Sequence, residues 1–211
     1  MKNFVIFFIV GIITAIGYFL LNNNRASLPI IQSLKPKTQF SIEQPPKDSI
    51  KGTIQSLSGL VKWESRVATE SVELIKEIPI QQGENILTGD NGKVAIDFEK
   101  KVAINAEPQT SIAVIQTLPV NFVFSQASGS AEYKKLDQIP VSVRSFHLII
   151  TIDGEIKLSV DNQTGLITVE VKKGIAKLGF NDLQYISQVV EVKAGQIYVF
   201  DDTNREGETK D

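Results

Sequence analysis

The sequence predicts an all-β fold: a twisted, solenoid-like or sandwich-like domain of many short strands, preceded by one N-terminal transmembrane helix. Three observations predict it. From residue 52 onward apolar residues recur with a period of two. Examples are Val94, Ile96 and Phe98, then Ile156, Leu158 and Val160, then Ile167, Val169 and Val171. Such alternation sets one face of a strand on a core and the other in water. Between these runs stand Gly89-Asp90-Asn91-Gly92, Asp153-Gly154, Asp161-Asn162 and Lys173-Gly174. These residue types accept the left-handed backbone of turns, and Asn91-Gly92 and Asp153-Gly154 read as tight turns. Finally, Phe4–Leu21 is a run of 18 residues without a charge.

Taken in order, residues 1–3 form a short cytoplasmic end and 4–21 the anchor. A helix of that length rises about 27 Å, close to the ~30 Å of a bilayer's hydrocarbon core. A secretory signal cleaved after Ala15-Ile16-Gly17 would leave the apolar terminus Tyr18-Phe19-Leu20-Leu21, so an uncleaved anchor is the better reading. Residues 22–51 carry Pro29, Pro36, Pro45 and Pro46 without a sustained period, which reads as a flexible stem. Within it Phe40 and Ile42 offer an alternative, a partner-docking segment. Residues 52–200 hold about a dozen short strands. Only Ser71–Ile78 has any helical periodicity. Residues 201–211 carry five carboxylates against two basic groups and read as an acidic, disordered tail.

Composition excludes several kinds of chemistry. A net charge of -2 leaves no concentrated excess of Lys and Arg, so nucleic acid is not the expected partner. The chain has no cysteine, which removes disulfides, thiolate metal sites and a lipid-modified cysteine anchor. With one histidine besides, no metal or cofactor is expected. That histidine, His147, lies in Phe146-His147-Leu148-Ile149-Ile150-Thr151-Ile152. The period places Phe146, Leu148, Ile150 and Ile152 on one face and His147 with Ile149 and Thr151 on the other, as a strand residue without a catalytic role. Ser145 and Asp153 are nearby triad candidates, yet no Gly-x-Ser-x-Gly elbow exists. Asp97 and Glu99 read as a solvated strand edge rather than a glycosidase pair. Trp63, between Lys62 and Glu64, reads as half-buried near the start of the domain, with a binding aromatic as the alternative. No catalytic, cofactor-binding or metal residue is predicted, and the chain is not expected to be an enzyme.

Four segments share the order and spacing of a known family. Ile86-Leu87-Thr88-Gly89-Asp90-Asn91-Gly92-Lys93-Val94-Ala95-Ile96-Asp97-Phe98 is preceded by Gly83-Glu84-Asn85. Val102–Thr110, Ile167–Ala176 and Val192–Gln196 follow in turn. Together they resemble the FecR-type domain over most of Thr53–Phe200. Two places depart from its pattern. Glu99-Lys100-Lys101 stands where the family has Asp-Gly, and Asp153-Gly154-Glu155 stands near where it has Gly-Thr. The resemblance implies a periplasmic or extracellular β-domain without cofactor or catalysis. In the best-known members this is the sensor half of a transmembrane regulator whose cytoplasmic anti-sigma domain precedes the membrane helix. That cytoplasmic domain is not expected within three residues. The expected function is therefore a single-pass, membrane-anchored sensor or adaptor, held to the membrane by its N-terminal helix. Its partner would be another envelope protein or a second copy of itself. The alternative is a structural cell-envelope or surface-assembly module.

Overall fold

The computed structural model describes residues 44–210. The expected cytoplasmic end, the membrane helix over 4–21 and most of the stem, with Phe40 and Ile42, lie outside the described residues. Those described contain no helix, and so none long and apolar enough to cross a membrane. The domain is all-β.

Strands β1 (Thr53–Ser58), β2 (Val61–Glu64), β3 (Val72–Glu73), β4 (Asn85–Thr88), β5 (Lys93–Phe98), β6 (Val102–Ala106) and β7 (Ser111–Leu118) come first. The middle of the chain holds β8 (Asn121–Lys135), β9 (Val141–Ser145), β10 (Leu148–Asp161) and β11 (Leu166–Asn181). Strands β12 (Ser187–Lys193), β13 (Ile197–Asp201) and β14 (Glu206–Lys210) end it. All pairings are antiparallel except β8 with β9.

Three long strands, β8, β10 and β11, each change partners along their length, and this produces two layers. The first layer runs β1, β5, β6, then the later half of β8, the later half of β10, the early half of β11, β13 and β14. The second runs β3, β2, β4, β7, the early half of β8, β9, the early half of β10, the later half of β11 and β12. Aromatic contacts join the layers across the core. Phe98 of the first lies 5.4 Å from Phe124 and 6.0 Å from Phe122 of the second. At the other end Phe180 meets Phe200 at 4.7 Å. The alternating residues read from the sequence fill this core: Val94, Ile96, Phe98, Ile156, Leu158, Ile167, Val169 and Val171 are all buried. Tyr133 is buried too, and its hydroxyl donates to Gln126 Oε1 at 3.0 Å, which satisfies a polar group that would otherwise be costly.

Several expectations change. Asp153-Gly154 and Lys173-Gly174 are not turns. They face each other in mid-strand, Gly154 opposite Gly174, with φ of 137° and 74°. A Cβ at Gly154 would collide with the Lys173 carbonyl, and one at Gly174 with the Asp153 carbonyl. Glycine is thus required where β10 and β11 bend together from one layer to the other. The register slips at the same place, between Glu155 and Ile156, leaving Lys172 as a bulged residue. Ser71–Ile78, despite its helical periodicity, forms no helix, in keeping with the all-β expectation; it holds β3, and the Leu74 amide donates to Val61 O at 2.8 Å. The packed domain begins before residue 52, because Ile50 is buried and its amide donates to Thr117 O at 2.7 Å. The acidic tail is not disordered over its described length. Glu206–Lys210 pairs with β13 from Asp201↔Glu206 to Ile197↔Lys210, and the backbone ladder holds the charged strand in place.

Replacing Gly174 by Val lowers unfolding stability by more than about 3 kcal/mol, read as a shift of the urea midpoint. Gly195 also has positive φ (90°), but a Cβ there would meet no atom within 4 Å. Gly195→Ala therefore costs only the backbone penalty of about 1 kcal/mol.

Candidate protein-interaction face

The outer faces of the two layers differ in chemistry. On the first layer, register sets Lys157 between Glu132 and Glu170, and Glu155 between Lys134 and Lys173. Alternating charges of this kind support one another across strands. The bulged Lys172 reaches Glu132 at 2.6 Å, while Lys134 and Lys173 approach Glu155 at 3.8 and 3.6 Å. The hydrogen bond from Lys172 holds the Glu132 carboxyl below its ordinary range and raises the ammonium in turn. This face is a solvated charge ladder.

The second layer differs at its β10–β11–β12 end. Ile149, Gly179 and Val189 stand side by side in one cross-strand row. Ile149 is 53% exposed and Val189 75% exposed. Between them Gly179 contributes no side chain. A Cβ there would meet nothing nearer than Gln188 O at 4.0 Å, and its φ is not positive. The result is a notch in a depression of about 400 Å³ that Phe180 and His147 also line. Leu183, Tyr185 and Ile186, in the loop from β11 to β12, extend the apolar surface. Tyr185 is 87% exposed.

Those loop residues are held in place. The Asp182 carboxylate accepts from the amides of Gln184 (3.0 Å) and Ile186 (2.9 Å) and from Gln188 Nε2 (3.0 Å). The Asp182 amide donates to Ile186 O at 3.0 Å. With Gln188 as the largest cause, these bonds hold the Asp182 carboxyl below its ordinary value. The loop thus favours the charged form.

His147 is not a strand residue. With Phe146, whose φ is 48°, it forms the turn between β9 and β10, and Phe146 points outward rather than joining Leu148, Ile150 and Ile152 in the core. Its Nδ1 lies 2.9 Å from Asp202 Oδ2, and its amide donates to Asp202 Oδ1 at 3.0 Å. The histidine thereby ties the β9–β10 turn to the turn between β13 and β14. Ser145 Oγ is buried and makes no hydrogen bond among the described residues, so it is not joined to the imidazole.

The other residues considered have structural partners. Trp63 is half-buried, and its Nε1 donates to Glu84 Oε2 at 3.0 Å. Asp97 accepts from the Lys100 amide at 2.7 Å, closing a turn in which Glu99 and Lys100 both have positive φ (51° and 56°). Asp161 caps the Gln163 amide at 2.9 Å, and Asn91 Oδ1 accepts from the Leu60 amide at 3.1 Å. Among the described residues no cluster of His, Asp and Glu could hold a metal ion.

No family model matches the sequence, and no curated protein matches it. The fold has solved counterparts. Two crystal structures of a candidate anti-sigma factor from Parabacteroides distasonis superpose with TM-scores of 0.52 and 0.53 at 14% identity. The match covers 60% of this chain and 59% of that one, so the chain spans less than two thirds of the protein it resembles. The likeness is one of fold.

The Asp182 caps are present above the ordinary carboxylate range and are lost as pH falls through the lowered folded value. The Gln184 and Ile186 amides are accordingly protected, relative to the intrinsic exchange rate at each pH, at neutral pH and lose that protection only in acid beyond that range. In Asp182→Ala both amides exchange near the intrinsic rate at every pH. Hydrogen exchange followed by NMR reads both outcomes.

Proposed function

We propose that this chain is a membrane-anchored, extracytoplasmic FecR-like binding module that acts without catalysis, as a sensor or adaptor contacting another protein of the cell envelope. One observation carries the reading: the exposed apolar face at the β10–β11–β12 end, notched at Gly179, on a domain whose other layer presents paired charges. Exposed apolar surface of this kind marks a docking site. The fold likeness to a candidate anti-sigma factor supports a regulatory role. The order of the four sequence segments supports the FecR-like assignment. The uncharged Phe4–Leu21 run supports anchoring, with the β-domain on the periplasmic or extracellular side. The role asks for protein contact and no bond-making step, which suits a histidine committed to Asp202.

Crosslinking of the intact protein in its own cells, followed by identification of the captured chains, tests the reading. A distinct envelope protein is recovered with the wild type. Gly179→Val fills the notch without crowding the fold, so its thermal midpoint stays within a few degrees of the wild type while capture of that protein falls at least tenfold. Undiminished capture by the variant, or capture of no other envelope protein by the wild type, overturns the reading. Membrane extraction resistant to alkaline carbonate, together with accessibility of the β-domain to external protease in spheroplasts, checks the anchoring and the side.

A further inference from the structure

Among the described residues strand β12 is the edge of its layer and pairs with β11 alone. The phase of that ladder decides which backbone groups face outward. The Asp182 amide donates to Ile186 O and the Ala194 amide to Gly174 O, each at 3.0 Å, and both pairs continue the β11–β12 register. Hydrogen-bonded and non-bonded pairs alternate along an antiparallel ladder. The even-numbered residues of β12 therefore bond inward to β11. Ser187, Val189, Glu191 and Lys193 turn their N–H and C=O groups to the open edge. Lys193 is already engaged: its amide donates to Gln196 Oε1 at 3.1 Å, and its carbonyl accepts from the Gln196 amide at 3.0 Å. Three residues remain, and Val189 is their midpoint.

We propose that this edge is filled by β12 of a second copy of the chain, running antiparallel about a two-fold axis at Val189. The inference goes beyond the proposed contact with another protein and stands independently of it. In this register Val189 faces the second copy's Val189, and Ser187 faces its Glu191 on either side. Each of the three pairs exchanges two backbone hydrogen bonds, which uses every free group on both edges. A register centred on Val190 would need the Lys193 groups that Gln196 holds. One centred on Glu191 would set two carboxylates directly opposite each other, which is unfavourable. Charge thus selects against one alternative and backbone occupancy against the other.

The charges of this edge, Glu191 and Lys193, stand at one end, and its Ser187–Val190 half carries none of the usual protection against pairing. β12 has no proline, its register with β11 runs without a bulge, and its most exposed apolar side chain is Val189. By contrast, β14 at an edge of the other layer bears Glu206, Glu208 and Lys210 on its five residues, and β3 is two residues long. Pairing would also join two Ile149–Gly179–Val189 rows into one apolar row across the axis. A strand of seven residues spans about 23 Å. With the Leu183–Ile186 loop it covers on the order of half the ~800 Å² per partner of a standard interface. The dimer is therefore reversible and concentration-dependent.

The absence of cysteine from the chain makes the test direct. The full chain carrying Val189→Cys is oxidised mildly and run on a non-reducing gel. Bonded antiparallel pairs hold their Cα atoms about 5.5 Å apart, inside the range a disulfide spans. Val189→Cys therefore forms a covalent dimer, while Glu191→Cys, four residues out of register with its own copy, does not. The double variant Ser187→Cys/Glu191→Cys crosslinks again. Sedimentation of the wild type shows a dimer whose fraction rises with concentration, and Val189→Lys stays monomeric with an unchanged circular dichroism spectrum. A folded Val189→Cys that remains monomeric after oxidation overturns the proposal. So does self-crosslinking of Glu191→Cys equal to that of Val189→Cys. Loss of dimer in Glu191→Pro, which removes an outward N–H of the edge and touches no residue of the apolar row, with capture of an envelope protein intact keeps the docking reading. A dimer that persists in Gly179→Val without capture by the wild type removes that reading and leaves the dimer.

Discussion

Strands β10 and β11 cross together from one layer to the other at Gly154 and Gly174, and the rest of the domain depends on that crossing. Each glycine lies against the other strand's carbonyl, so neither position accepts a Cβ. The crossing lets one hairpin pair serve two layers, with β8 as the third shared strand. It also gives a single strand two outer faces of unlike chemistry. The early half of β10 exposes Ile149 beside Gly179, and the later half places Lys157 between two glutamates. The bend thereby separates a more apolar end from a charged one within 14 residues of sequence.

The bulge that accompanies the bend has a consequence in the charge ladder. An unbulged β11 would keep strict alternation through residues 171–173. Slipping the register releases Lys172 from the ladder and sends it across to Glu132. The pair is partly exposed, so it adds little to stability. Paired charges on this face are expensive to desolvate, which discourages contact there relative to the more apolar row of Ile149, Gly179 and Val189. Aspartates at the turns act in the same direction. Asp161, Asp182 and Asp201 each cap amides of their own loop. Loops that carry apolar residues are thus presented in one conformation, which lowers the entropy lost on binding.

Much of this was legible in the sequence, and the reasons for the rest are physical. Alternation located the core of β5, β10 and β11, because a half-buried strand leaves no other pattern. It failed at Phe146, where the periodic run continues past the end of the strand into a turn with positive φ. Asp153-Gly154 and Lys173-Gly174 carry turn chemistry, but the same left-handed freedom serves a mid-strand bend, and sequence alone does not separate the two uses. The acidic composition of 201–211 suggested disorder. A backbone ladder with β13 needs no apolar side chain, so composition gave no sign of β14. The proposed docking face left no motif, since Ile149, Gly179 and Val189 come from three strands and meet only through register.

Gly179 shows how a fold requirement and a functional one can be told apart. Gly154 and Gly174 are demanded by backbone geometry and by a carbonyl in contact. Gly179 sits in the same strand as Gly174, in extended conformation, with open space where its side chain would be. Glycine in a strand interior lowers stability, because it loses more entropy on folding and packs nothing. A β-branched residue at 179 would strengthen β11 and close the gap between Ile149 and Val189. The fold does not call for glycine at that position. What the glycine provides is the notch, the feature on which the proposed docking rests.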